Sequence, residues 1–195
     1  MIARMHAGRL FLIRHGDTAC SDTGQHTGRT DLPLNPRGEA RAAQLKARLS
    51  GETFARVFTS PLIRARRTCE LAGFGPRAEL NDDLYEWNYG QYDGKTSAQI
   101  KALRPDWELF RDGAPGGESP ADVRRRADRF VALARTIEGD VAAFASGHII
   151  RTIAASWLGA DMRVARCFFT ATASVGILGY EHGLPVMLLW NETKP

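Results

Sequence analysis

The stretch Leu10–Cys20, LFLIRHGDTAC, decides the fold class. It begins with a continuous apolar run, Leu10–Ile13, which is typical of a β-strand buried on both faces. The run ends abruptly at Arg14 and His15, and Gly16 follows at once. Charged or polar side chains directly after a buried strand indicate that the chain leaves the sheet at a point where these side chains have a role of their own.

Asn-Pro and Ser-Pro pairs open three of the segments that follow, and each pair is typical of an N-cap and first helical position. They predict helices from Asn35 to about Leu49, from Ser60 to about Ala72, and from Ser119 onwards. The third helix is expected to bury one face at helical spacing. That face consists of Val123, Ala127, Phe130, Ala134 and Ile137.

Short apolar strands alternate with these helices. We predict strands at Val57–Thr59 and Val141–Ala145, the latter followed by a helix to Leu158, and a closing hairpin formed by Ser174–Tyr180 and Leu184–Trp190. Alternating strands and helices predict a parallel sheet covered on both faces. The expected fold is therefore α/β: a three-layer α/β/α sandwich with a mostly parallel sheet and an antiparallel edge strand. Residues 1–195 are expected to form one domain.

The composition is that of an ordinary soluble protein. The 195 residues are 44% hydrophobic and 25% charged, with a formal net charge of +4. No long Lys/Arg run interleaved with aromatics suggests nucleic-acid binding, and no apolar stretch approaches the ~20 residues that span a membrane. Three widely spaced cysteines favour a reducing compartment over a disulfide framework or zinc site. We expect a cytoplasmic protein, as a monomer or homodimer.

Polar residues follow the predicted strands where ligands bind in a parallel sheet, beyond the carboxyl ends. Arg14 and His15 follow the first strand, Arg64 lies in the first turn of the helix after the second strand, and His148 follows the strand that ends at Ala145. Guanidinium groups offer forked donors to phosphate oxygens, and helix N-termini add oriented N–H groups. The sequence therefore predicts an anion site at this edge of the sheet, where a glycine after His15 lets a ligand approach the backbone.

The segment LIRHGDTA resembles the signature of the histidine phosphatase superfamily, the phosphoglycerate-mutase-like proteins. Further segments resemble that family in order along the chain. They are GQHTGRTDLPLNPRG (24–38), FTSPLIRARRTCELA (58–72), LYEWNYGQYDGKT (84–96) and SGHIIR (146–151). Since the resemblance covers nearly the whole chain, it implies a phosphoglycerate-mutase-like fold.

The resemblance also implies site residues. His15 is the expected nucleophile, which forms a phosphohistidine. Glu86 is the expected acid/base residue, flanked by aromatic side chains that would desolvate it. The residues expected to hold phosphate or substrate are Arg14, Arg64, His148, Gly16, Ser21, Thr27 and Gly28. No metal and no cofactor are expected.

One position departs from the family pattern. Many members carry an asparagine six residues after the nucleophile, where this chain has Ser21. A hydroxyl can still donate one hydrogen bond. This serine and its surroundings resemble the acid-phosphatase and sugar-bisphosphatase members most, so the substrate-side network is expected to differ.

Several other residues have two open interpretations. His26 either lines the rim of the pocket or lies in a loop, and Trp107 and Phe110 either cover the pocket or only pack. Residues 66–67 and 124–126, all arginine, are expected to be solvated helix faces. The basic residues expected at the rim are Arg29, Arg37 and Arg111.

Three functions are compatible with the sequence. The leading one is a metal-independent phosphomonoester hydrolase acting through phosphohistidine on small phosphorylated metabolites, of the acid or sugar phosphatase type. A phosphoglycerate mutase is the first alternative, although the interval between Glu86 and His148 lacks the longer insertion of that branch. The second alternative is an inactive module that binds phosphorylated ligands or proteins. A small phosphorylated substrate is the expected partner, with no nucleic acid or membrane.

Overall fold

Strand β1 (Leu10–Arg14) lies inside a six-stranded sheet in the computed structural model, which describes residues 8–193. Its side chains alternate between two hydrophobic clusters. Leu10 and Leu12 belong to one cluster, and Phe11 and Ile13 belong to the other. Because successive side chains of a strand point to opposite faces, this continuous apolar run fills both cores, as predicted.

The sheet has the order β3-β2-β4-β1-β5-β6. The first four strands of that order are parallel, and β5 and β6 are antiparallel to their neighbours. The predicted parallel sheet with an antiparallel hairpin at its edge is confirmed. The strands that join β1 are β2 (Phe54–Thr59), β3 (Ala78–Leu80), β4 (Asp140–Ala145), β5 (Val175–Glu181) and β6 (Leu184–Glu192).

Helices cover both faces and complete the three-layer sandwich. Helices α6 and α7 contribute to the cluster that holds Leu10, and α2 and α3 contribute to the cluster that holds Phe11. The α-helices are α1 (Ala19–Thr23), α2 (Pro36–Arg48), α3 (Ile63–Leu71), α4 (Ser97–Leu103), α5 (Leu109–Asp112), α6 (Pro120–Arg135) and α7 (Gly147–Trp157).

Two of the three predicted N-caps are confirmed. The side chains of Asn35 and Ser119 accept backbone hydrogen bonds at the starts of α2 and α6. The cap predicted at Ser60 is wrong, because Leu62 is the N-cap residue of α3 and Ser60 extends the β2–β4 ladder, its N–H donating to the Phe144 carbonyl at 2.9 Å. Helix α3 consequently begins three residues later than Ser60, at Ile63.

The end of α6 also differs from the prediction. The helix stops at Arg135, so Ile137 lies outside it, although this side chain still packs against the core. Within residues 8–193, no helix is long and apolar enough to cross a membrane.

Candidate active site

A cavity of about 170 Å³ opens beyond the carboxyl ends of β1 and β4. Arg14 pairs with Ala145 across these parallel strands, so the next residues, His15 and Ser146, also lie side by side. The predicted convergence of polar residues at this edge is confirmed for Arg14, His15 and His148. The principal polar side chains of the wall are Arg14, His15, Ser21, His26, Thr27, Glu86, Tyr89, His148, Arg151 and Thr170.

His15 is buried, and one of its ring nitrogens is already used. Nδ1 lies 2.7 Å from the Gly16 carbonyl oxygen and must donate to it, because that oxygen can only accept. Burial, together with the positive charges of Arg64 and Arg14, lowers the pKa of His15 well below its usual range. The ring is therefore neutral at neutral pH, and Nε2 carries the lone pair.

Arg14 presents an unpaired cation to the same cavity. Its Nη1 donates to the Thr170 carbonyl, and its buried Nε has no hydrogen-bond partner in the described part of the chain. Burial lowers the pKa of this guanidinium, and the negative charge of Glu86 partly opposes that effect. An arginine remains protonated in either case, so its free donor is available to an anion.

Arg64 lies behind the cavity wall rather than on it. It is 1% exposed. Its guanidinium donates to the carbonyl oxygens of Thr27 (3.1 Å), Gly28 (3.0 Å) and Thr30 (2.9 Å), and Nε donates to Ser146 Oγ at 3.3 Å. Arg64 thus fixes the loop that contributes Thr27 to the wall, and it places a positive charge beside His15.

His148 is hydrogen-bonded to a residue that the sequence reasoning did not select. Its Nδ1 contacts the hydroxyl of Tyr89, and burial raises the pKa of that phenol well above its usual range. Burial, followed by the charge of Arg151, lowers the pKa of His148 well below its usual range. A protonated phenol must donate to a neutral ring, so Nε2 of His148 carries the hydrogen.

Glu86 is bound to the N-terminus of α7. Its Oε1 accepts from the N–H groups of Trp87 (2.8 Å) and Ile149 (3.0 Å), and Oε2 accepts from His148 N–H (2.9 Å). The residue is 4% exposed, yet it lines the cavity. Because Oε2 accepts only one of these three bonds, it is the oxygen with capacity left to exchange a proton.

Three further residues predicted to hold phosphate or substrate, Gly16, Gly28 and Ser21, have structural roles. A Cβ at Gly16 would lie 2.3 Å from the Gly38 carbonyl oxygen, and one at Gly28 would lie 2.4 Å from the Trp87 carbonyl oxygen. Close backbone packing therefore requires both glycines, and neither lines the cavity. Ser21 does line it, but its hydroxyl completes a capping box with Thr18 at the start of α1.

Arg151 lines the cavity and was missed by the sequence reasoning. It lies one turn after His148 on α7, and the i,i+3 spacing that places both on one helix face was the available signal. Its Nε and Nη2 donate to the carbonyl oxygens of Ala165 and Arg166, and its guanidinium lies 4.9 Å from the ring centre of Phe110. The cavity therefore holds two cations, Arg14 and Arg151, that form no ion pair within residues 8–193.

Aromatic rings form the side wall. The ring of His26 lies 5.6 Å from that of His148 and 5.8 Å from that of Trp107, and Phe110 lies 5.5 Å from His148. His26 therefore lies at the pocket, and Nε2 of this histidine is 3.0 Å from the Ser97 hydroxyl. Trp107 and Phe110 are buried packing residues that support the wall.

The predicted basic rim is largely neutralised. Arg37 pairs with Asp17 and Asp22, and Arg111 pairs with Asp112. Arg29 stacks on the ring of Tyr85. Arg37 and Asp17 line a neighbouring cavity of about 440 Å³, which shares Arg14, Ser21 and Phe169 with the first.

The expectation that residues 124–126 form a solvated face is wrong for Arg126, which is 5% exposed. This guanidinium forms a bidentate pair with Glu118 and also donates to the Asp83 and Tyr85 carbonyls. Glu118 in turn accepts the Asn88 N–H at 2.8 Å. The pair therefore holds the backbone on both sides of Glu86.

These features define a polar cavity in which two neutral imidazoles and a glutamate lie beside two arginines that form no ion pair among residues 8–193. Residues 10–193 match the family model described as the histidine phosphatase superfamily (branch 1). The chain belongs to this superfamily. No group of three or more His, Cys, Asp or Glu residues in the described part of the chain is arranged to hold a metal ion.

Particular relatives agree with this family. The chain is 40% identical to an acid phosphatase of Mycobacterium tuberculosis, over 96% of this chain and 95% of that protein. It is 35% identical to sedoheptulose 1,7-bisphosphatase of Saccharomyces cerevisiae, over 77% of this chain and 68% of that protein. A solved structure of an open reading frame product from Mycobacterium tuberculosis superposes with a TM-score of 0.91 and 36% identity, covering 95% of this chain and 98% of that one. The predicted family, fold and phosphatase class are confirmed.

Proposed function

We propose that this chain hydrolyses small phosphomonoesters, including sugar phosphates, through a phosphohistidine on His15. The observation that carries the proposal is the hydrogen bond from Nδ1 of His15 to the Gly16 carbonyl. In the neutral ring, which the lowered pKa of His15 favours, this bond holds the hydrogen on Nδ1 and leaves the Nε2 lone pair free, in a cavity that also holds an unpaired arginine. The acid phosphatase and the sugar bisphosphatase among its relatives support this substrate class.

In the first step, Nε2 of His15 attacks phosphorus, and the bond between phosphorus and the ester oxygen breaks. Negative charge on the phosphoryl oxygens is offset by Arg14 and by the Nε2–H of His148, with Arg64 behind them. These donors are held in place by the backbone and by Tyr89, so they need little rearrangement during the reaction.

Glu86 handles the protons in both steps. Its Oε2 gives a proton to the leaving alkoxide as the ester bond breaks. In the second step Oε2 takes a proton from water, the water oxygen bonds to phosphorus, and the N–P bond breaks. Inorganic phosphate leaves, and His15 returns to its neutral state.

Replacement of His15 tests this proposal. The His15→Ala variant should lose hydrolysis of an aryl phosphate, and intact-mass analysis after rapid quenching should detect a phosphate adduct on the wild type but not on this variant. His182→Asn is the matched control, because His182 lies exposed in the β5–β6 turn with a positive φ that asparagine tolerates. Full activity of His15→Ala would overturn the proposal.

The same assay separates the other functions that the sequence allows. Incubation with 3-phosphoglycerate and a bisphosphoglycerate primer should release inorganic phosphate. Isomerised phosphoglycerate without release would identify a mutase. A wild-type protein that forms no adduct and turns over no ester would be a binding module.

A further inference from the structure

The junction between β4 and α7 holds a buried hydroxyl that the proposed mechanism does not use. Ser146 is the N-cap residue of α7, and it is 1% exposed. A serine at this position ordinarily accepts a hydrogen bond from the N–H of the second or third helical residue. Here the side chain makes no such capping bond.

Glu86 takes over the capping role. The second and third residues of α7 are His148 and Ile149, and both of their N–H groups donate to the Glu86 carboxylate. A carboxylate at a helix N-terminus also interacts favourably with the helix dipole. The Ser146 hydroxyl is consequently free for another partner.

That hydroxyl bonds to the guanidinium beside His15 instead. Ser146 Oγ accepts from Nε of Arg64 at 3.3 Å, and the serine lies beside His15 across the β1–β4 pair. In this bond the Ser146 hydroxyl accepts, and its own hydrogen has no acceptor among the described residues.

The neighbouring donors are also free. Gly147 lines the cavity, and its N–H, the first of α7, has no partner in the described part of the chain. A Cβ on Gly147 would lie 3.3 Å from Nε of Arg14, the buried nitrogen that lacks a hydrogen-bond partner. Three donors without acceptors therefore belong to neighbouring residues: Ser146 and Gly147 are consecutive, and Arg14 pairs with Ala145 across the two strands.

We propose that Ser146 is a phosphate-positioning residue. It orients Arg64 beside the phosphoryl group and donates its own hydroxyl hydrogen to the phosphoryl oxygen that also receives Gly147 N–H and Arg14 Nε. The inference deepens the proposed function and rests on it. The ligand class at this junction is a tetrahedral or trigonal-bipyramidal oxyanion of phosphorus or vanadium.

The experiment compares Ser146→Ala, Ser146→Thr and the control Ser156→Ala. Ser156 lies on the same helix, but its hydroxyl bonds to Asp128 away from the cavity. Loss of one oxyanion donor lowers the turnover rate by roughly a hundredfold to a thousandfold. Ser146→Ala should show that loss in kcat and a parallel rise in the inhibition constant of orthovanadate, and Ser146→Thr, which keeps a hydroxyl, should recover most of both.

The midpoint of thermal unfolding shows whether Ser146→Ala loses activity because the phosphate is mispositioned or because the protein is destabilised. Because Ser146 makes no capping bond, Ser146→Ala should still fold, with a midpoint lowered only by the loss of the one bond from Arg64 Nε. Wild-type kcat and vanadate inhibition in a folded Ser146→Ala would overturn the inference. If Ser146→Ala does not fold, Ser146→Thr and Ser146→Gly are compared by the same two measurements, and equal vanadate affinity for both would overturn it.

Failure of the proposed function has a different signature. In that case the wild type would hydrolyse no phosphomonoester and form no adduct. Calorimetric titration with orthophosphate would then still compare the wild type with Ser146→Ala, and weaker binding by the variant would support the role of Ser146 alone. Equal binding would contradict it.

Discussion

The hydroxyl of Tyr89 is hydrogen-bonded to Nδ1 of His148. In the other imidazole of the cavity, Nδ1 of His15 donates to the Gly16 carbonyl. The two rings are both neutral, but they are held in opposite tautomers. His15 consequently offers a lone pair at Nε2 and His148 offers a hydrogen there, which are the properties needed by a nucleophile and by an oxyanion donor.

Replacing Tyr89 with phenylalanine tests this assignment. Tyr89→Phe keeps the ring that packs against His148 but removes the hydroxyl, so His148 can adopt either tautomer. We expect kcat to fall about tenfold, with a smaller change in KM, because the donor is most needed as charge develops. Nitrogen-15 NMR of the wild-type imidazole should show hydrogen on Nε2 of His148, and hydrogen on Nδ1 would contradict the assignment.

The pH dependence of kcat follows from the pKa of His15. Burial and two arginines hold that pKa well below the ordinary value of 6.5. As the pH falls through 6.5, the ring therefore stays neutral and remains nucleophilic. At saturating substrate, kcat should be retained below this pH, and the exposed-site variant His182→Asn should give the same profile. Loss of kcat with a midpoint near 6.5 would show that His15 titrates as a solvated histidine.

The sequence predicts the parts of this molecule that depend on local pattern. The apolar run at Leu10–Ile13 indicates a strand filling two cores, and the polar residues after it indicate the sheet edge where the site lies. Strand β3 was missed because Ala78–Leu80 is only three residues long and half exposed, without an apolar run.

Roles that depend on distant contacts could not be predicted in the same way. Arg126 sits in a run of three arginines, and nothing local distinguishes it from its solvated neighbours. Its burial arises because Glu118 and the backbone near Glu86 surround it after folding. Ser146 is similar, since an ordinary N-cap serine is expected there until a carboxylate from elsewhere in the chain takes over the cap.

The buried pair of Arg126 and Glu118 should contribute to both stability and activity. Arg126→Ala leaves Glu118 with an uncompensated charge, and its side chain is only 17% exposed. We expect the free energy of unfolding to fall by about 3 kcal/mol, measured by chemical denaturation. kcat should fall as well, because the backbone around Glu86 loses two hydrogen bonds.

Arg125→Ala is the matched control for that measurement. Arg125 is exposed and pairs with Asp122 on the helix surface, where an ion pair contributes about 0.5 kcal/mol or less. Equal effects of the two replacements would mean that the Arg126 pair is not a support for the site.

The proton transfer assigned to Glu86 makes a prediction about leaving groups. An alkoxide is a strong base and must receive a proton as the ester bond breaks, whereas a nitrophenolate leaves without one. Glu86→Gln keeps the size of the side chain but cannot donate as an acid. We therefore expect it to slow hydrolysis of an alkyl phosphate by at least about a hundredfold and hydrolysis of 4-nitrophenyl phosphate much less.

The ratio of the two rates is the measurement, because a general loss of structure would lower both alike. Glu86→Gln also replaces one oxygen that accepts an N–H of α7, so some loss common to both substrates is expected. Glu79→Gln, on an exposed strand edge, is the control and should leave both rates unchanged. If Glu86→Gln slows both esters by the same factor, Glu86 acts mainly by capping the N-terminus of α7, which leaves the Ser146 hydroxyl without a capping role. Another group must then donate the proton to the leaving alkoxide.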